Sequence, residues 1–88
     1  MRVWGKLKDG EGRVNESLIL PIEAKKTIEI EDFAPIIYEL CIKLDLARPV
    51  ILNKHINEMK RFRRTVFKQA DFIEDFYFET FEIEIIND

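Results

Sequence analysis

Chemistry-bearing residues are scarce in this chain: one cysteine (Cys41), one histidine (His55), three glycines and three prolines among 88 residues. A lone cysteine cannot close an internal disulfide, which excludes a stapled secreted scaffold. Zinc sites recruit four ligands from Cys and His at short spacings, and a single Cys and a single His cannot supply them. The spacing leaves a Cys41–His55 dyad open, but no local motif accompanies it. Cys41 is expected in the core, and His55 is expected partly exposed in the first turn of a helix, without a catalytic role. The glycines are Gly5, Gly10 and Gly12. Gly10-Glu11-Gly12 lacks the Lys-Ser/Thr pair and the following helix of a phosphate loop, so it reads as a hairpin turn. No uncharged apolar run approaches the roughly 18–20 residues that span a bilayer. Met1-Arg2-Val3-Trp4-Gly5-Lys6 contains no apolar signal segment. The expectation is a soluble cytoplasmic protein with no cofactor and no membrane association.

Carboxylates are plentiful, yet they form no calcium-loop pattern. Glu82 and Glu84 share one face of a strand, about 7 Å apart. An acid/base pair needs one carboxyl in an apolar pocket, and these two are expected on a solvated face. A small enzyme of unknown reaction stays a remote alternative.

What the chain does have is apolar bulk. Hydrophobic residues make up 47% of it, including seven Phe, two Tyr and one Trp, more than disordered segments carry. Its length suits one small domain spanning residues 1–88. Val3, Gly5 and Leu7 alternate with Arg2, Trp4, Lys6 and Lys8, the period-2 signature of a strand. Asp9-Gly10-Glu11-Gly12 turns the chain, and Val14 to Leu20 alternates again before Pro21 ends the run. Residues 27–31 suggest a third strand. Asp32 is placed to cap a helix over 32–46, with Pro35 in its first turn and Phe33, Ile36, Ile37, Leu40, Cys41 and Leu44 on one face.

Pro49 to Leu52 reads as a buried strand or an extended lead-in to a second helix capped by Asn53. Leu52, Ile56, Met59, Phe62 or Arg63, and Val66 keep the spacing of one side of that helix. Thr65-Val66-Phe67 favours extended backbone. Asp71 can cap a single turn that presents Phe72, Ile73 and Phe76. Thr80 to Ile85 reads as a strand with one wet face. The fold class that follows is α+β: a small antiparallel or mixed sheet, from an N-terminal hairpin and a C-terminal strand, covered by two helices.

Charge is segregated. Residues 53–68 hold six basic side chains against Glu58, and residues 69–88 hold seven acidic ones and no base. Lys60, Arg61, Arg63, Arg64 and Lys68 can contact RNA or single-stranded DNA, with Phe62 or Phe67 available to stack on a base. Against this, the chain is acidic overall, with pI ≈ 5.2. The competing reading pairs these cations with Glu82 and Glu84, within one chain or between two. Trp4, Phe72, Phe76, Tyr77 and Phe78 are candidate interface residues, because so many large groups strain the burial capacity of a short chain.

The stretch from Ala47-Arg48-Pro49 through the basic block, with Phe72-Ile73-Glu74 and Phe81-Glu82-Ile83-Glu84, resembles short uncharacterised bacterial proteins grouped as a domain of unknown function. The resemblance spans the C-terminal half and implies a small bacterial cytoplasmic protein, with no substrate, cofactor or active-site residue attached. The leading expectation is a non-enzymatic protein-interaction module that self-associates, as a dimer or higher homo-oligomer. Nucleic-acid binding through segment 60–68 is the alternative.

Overall fold

A computed structural model describes residues 2–22 and 30–86 of the chain. Strand β1 (Arg2–Lys8) turns back into β2 (Val14–Pro21). Asp9 organises the turn: its carboxylate accepts the N–H groups of Glu11 at 2.9 Å and Arg13 at 3.0 Å. Gly12 takes φ of 79°, a left-handed value that a residue without Cβ adopts freely. Helix α1 (Ile30–Lys43) and helix α2 (Asn53–Phe62) follow, then β3 (Arg64–Lys68), a single 3₁₀ turn at Gln69–Asp71, and β4 (Thr80–Ile86).

All pairings are antiparallel and the strand order is β2-β1-β4-β3. The C-terminal strand is therefore central: it inserts between β1 and β3. Period 2 divides each strand between two faces. Val3, Leu7, Phe67, Phe81, Ile83 and Ile85 join Phe33, Ile37, Leu40 and Cys41 of α1 and Met59 of α2 in one core. Both helices therefore pack on the same side of the sheet, and the α+β expectation holds. Gly5 lies where α1 crosses β1, with Leu40 Cδ2 3.3 Å and Phe81 Cε1 3.2 Å from the place a Cβ would occupy.

Several boundaries differ from expectation. Residues 27–29 of the expected third strand lie outside the described residues, and Ile30 and Glu31 belong to α1. Ile30 continues the three-and-four spacing of Phe33, Ile37 and Leu40 backwards, so helical periodicity overrides a short alternation. Asp32 is thus inside the helix rather than at its cap. Pro35 is an interior residue that removes one backbone bond near the start. Asp45, with φ of 57°, ends α1: Leu46 N–H donates to Cys41 O at 2.8 Å and Asp45 N–H to Ile42 O at 3.2 Å. This is the 6→1 and 5→2 pattern of a left-handed C-terminal cap. Pro49 forms a bridge with Phe72, so residues 49–52 are an extended lead-in to α2. Leu52, not Asn53, is the N-cap of α2.

Candidate interaction surfaces

His55 explains how α2 starts without a conventional cap. Its Nδ1 accepts the Leu52 N–H at 3.0 Å, satisfying a backbone donor just ahead of the helix. Nε2 then faces Asp71 Oδ2 at 3.6 Å, an ionic-range approach rather than a hydrogen bond. Asp71 Oδ2 accepts the Lys68 N–H at 2.9 Å, so the carboxylate closes the 3₁₀ turn from its last position and does not cap it from the front. The imidazole lies on Phe67, with ring centroids 4.2 Å apart. His55 has 0% exposure, against the expectation of a partly exposed ring. Burial holds its pKa below the ordinary histidine value, and Asp71 offsets part of that shift.

Cys41 is equally buried, and burial pushes its thiol pKa up to about 11. Two open depressions on the described surface are lined by neither His55 nor Cys41. Among the described residues, no three His, Cys, Asp or Glu side chains converge as metal ligands. No described helix is long and apolar enough to cross a membrane.

The sheet face opposite the helices carries Trp4, Lys6, Lys8, Arg64, Val66, Glu82 and Glu84. The register sets them in rows: Ile19, Trp4, Glu84 and Arg64 in one, Ser17, Lys6, Glu82 and Val66 in the next. Glu82 was expected on a wet face, and instead it is buried. Lys6 Nζ donates to it at 2.9 Å and Lys8 Nζ reaches it at 3.4 Å. Burial alone would raise the Glu82 pKa, but the Lys6 hydrogen bond and the two ammonium charges outweigh it and hold the carboxyl below its ordinary value. Lys6 Nζ is also 3.8 Å from the Trp4 ring centroid, a cation–π contact. Trp4 is half-buried beneath this network.

The acidic strand therefore takes its cations from β1, not from the basic segment. Arg64 stands opposite Glu84 in register, yet Glu84 pairs with Lys6 Nζ, at 3.9 Å. Among the described residues, Lys60, Arg63, Arg64 and Lys68 form no ion pair, and Arg61 lies over the Phe62 ring at 5.6 Å. All five cations are exposed.

The aromatic patch shrinks on folding. Phe72 and Phe76 stack with centroids 4.0 Å apart and planes 3° from parallel, and both are buried. They belong to the core because the 3₁₀ turn and its bridge to Pro49 fold this segment back on Phe67. Phe78 is half-buried, while Tyr77 remains 87% exposed beside Ile73 at 88%.

Periodicity identifies β2 as a strand but not its place in the sheet, where its outer side has no strand neighbour among the described residues. This strand is eight residues long and pairs only with β1 among the described residues. Val14 and Ile19 are exposed, and Leu18 and Leu20 are only half-covered although their register partners Gly5 and Val3 are buried. A bulge opposite Leu7/Lys8 and Pro21 guard its two ends, leaving Glu16 to Leu20 regular. The other edge strand, β3, is five residues long and bears Arg64 and Lys68 at its ends, which blunts it. Comparison with protein-family models, curated proteins and solved structures finds no match, so the functional reading rests on geometry alone.

Proposed function

We propose that this is a small cytoplasmic, non-enzymatic interaction module that self-associates through the edge of β2. The observation that carries the reading is the regular Glu16–Leu20 stretch. Among the described residues its outer backbone groups have no strand partner, and the stretch has no lysine and two leucines half-covered on the core side. Such a strand is a template for a second strand. The partner that suits it is another copy, joined antiparallel about a two-fold axis, because a closed isologous contact uses the same patch twice. Pairing would continue the sheet across both molecules and cover Leu18 and Leu20. The contact is small, so the affinity expected is micromolar rather than nanomolar.

Sedimentation equilibrium from micromolar to hundreds of micromolar protein tests this. The wild-type chain is expected to reach a dimer, while Ile19→Lys stays monomeric with an unchanged circular dichroism spectrum. Ile19 is exposed, so lysine there leaves the fold intact and puts a charge on the edge strand, which opposes pairing with a second strand. A wild-type monomer throughout the range removes the proposal.

A further inference from the structure

We infer that the end of α2 and the edge of β3 form a binding site for single-stranded nucleic acid, independent of the β2 edge. Three observations converge there. Lys60, Arg63, Arg64 and Lys68 have no acidic partner among the described residues, and Arg61 contacts only an aromatic ring. Phe62, expected on the apolar side of α2, is 64% exposed because the helix ends there and the chain reverses at Arg63, whose φ is 58°. A depression of about 610 Å³ opens beside it, lined by Phe62, Arg64, Val66, Thr65, Glu58 and Glu84.

An exposed ring flanked by unpaired guanidinium groups suits a base on its face and phosphates on the cations. The two carboxylates in the wall decide between polyanions. Glu58 is held in place by Thr65 Oγ1, which donates to its Oε1 at 2.8 Å. These carboxylates repel phosphates and the side chains of an acidic peptide alike. They accept hydrogen bonds from base amino groups, as carboxylates do from cytosine N4. The strand would run along β3 from Phe62 and Arg64 toward Lys68. Those two cations are separated by about 13 Å at the usual strand rise. The net acidity of the chain does not forbid this. Lys60, Arg61, Arg63, Arg64 and Lys68 set the local potential there, and charges further than about 8 Å are largely screened at physiological ionic strength.

The test is a fluorescence-anisotropy titration of labelled oligocytidylate at about 50 mM and about 200 mM salt. Unlabelled oligouridylate and poly-glutamate serve as competitors. The expected result is binding that weakens with salt and competition several-fold poorer from oligouridylate, with poly-glutamate ineffective. Phe62→Ala should lose roughly tenfold in affinity with an unchanged salt slope. Arg64→Ala and Lys68→Ala should each reduce the slope by about 0.7. All three side chains are exposed, so circular dichroism should be unchanged. A titration silent at the lower salt overturns the inference. So does one that ignores Phe62, treats the two bases alike, or is matched by poly-glutamate.

Discussion

At the scale of single residues, His55 illustrates how a chemically versatile side chain can be absorbed by structure. Nδ1 serves the backbone of Leu52, Nε2 faces Asp71, and one ring face covers Phe67, leaving no exposed edge for a substrate. A consequence follows for pH. The folded-state pKa is depressed, so the unfolded chain binds a proton more readily, and protonation favours unfolding. The neutral-His contribution is fully present above the ordinary value of 6.5 and is lost progressively as pH falls below it. The urea midpoint is therefore expected to drop between about pH 7 and pH 5, with a slope of at most about 1.4 kcal/mol per pH unit from one proton. Below that range Glu82 adds to the loss, since its carboxyl is also held below its ordinary value of 4.5. A His55→Gln variant should be less stable at neutral pH yet show a flatter dependence above pH 5. An identical slope in the two proteins would show that another group dominates.

At the scale of elements, α1 against the sheet is the packing that a single methyl can test. The α1 stripe was legible because Phe33, Ile37, Leu40 and Cys41 recur with helical spacing. Its start was not, because Ile30 fits both a strand alternation and the helical stripe. Gly5 was legible only as a member of an alternating run. Its reason for being glycine, the approach of Leu40 and Phe81, depends on a helix and a strand far away in sequence. Gly5→Ala places a Cβ 3.2–3.3 Å from two side chains that are themselves fully buried. Overpacking costs about 1–3 kcal/mol, and the reduced freedom of the unfolded chain returns about 0.4–1 kcal/mol. A net loss near 1 kcal/mol in urea denaturation is the expected outcome. A variant as stable as the parent would mean that α1 yields to the methyl without strain.

The strands show the same division between local and remote information. The hairpin followed from period 2 and the Asp9-Gly10 turn, whereas the β-branched and aromatic run after Arg64 indicated only extended backbone, not that it joins the sheet as β3. Period 2 also assigned Glu82 and Glu84 to a common face. It could not supply the neighbours of that face, because β4 inserts between β1 and β3. Central position, not composition, brings Lys6 and Lys8 to Glu82 and buries a carboxylate that looks solvent-directed in sequence. The exposure of Phe62 has a similar origin: spacing marks it as apolar-side, but α2 ends at that residue.

At the scale of the whole molecule, the two sheet edges differ in character. The β3 edge is short and ends in cations, with an aromatic ring and a depression beside it. The β2 edge is longer, nearly uncharged, and only half-covered on its core side. Charge segregation in sequence becomes segregation in space because the acidic strand is satisfied by β1, which leaves the basic segment unpaired. Self-association and polyanion binding can thus occupy opposite edges of one sheet.

The central claim is that the outer edge of β2 is where two copies meet. Amide hydrogen exchange at residues 16–20, followed across protein concentration, tests it most directly, since exchange reports protection residue by residue. The account predicts that outward-facing amides in this stretch gain protection as the dimer forms and that the β3 edge does not. Protection on β2 that is independent of concentration, or concentration-dependent protection confined to other elements, would contradict it.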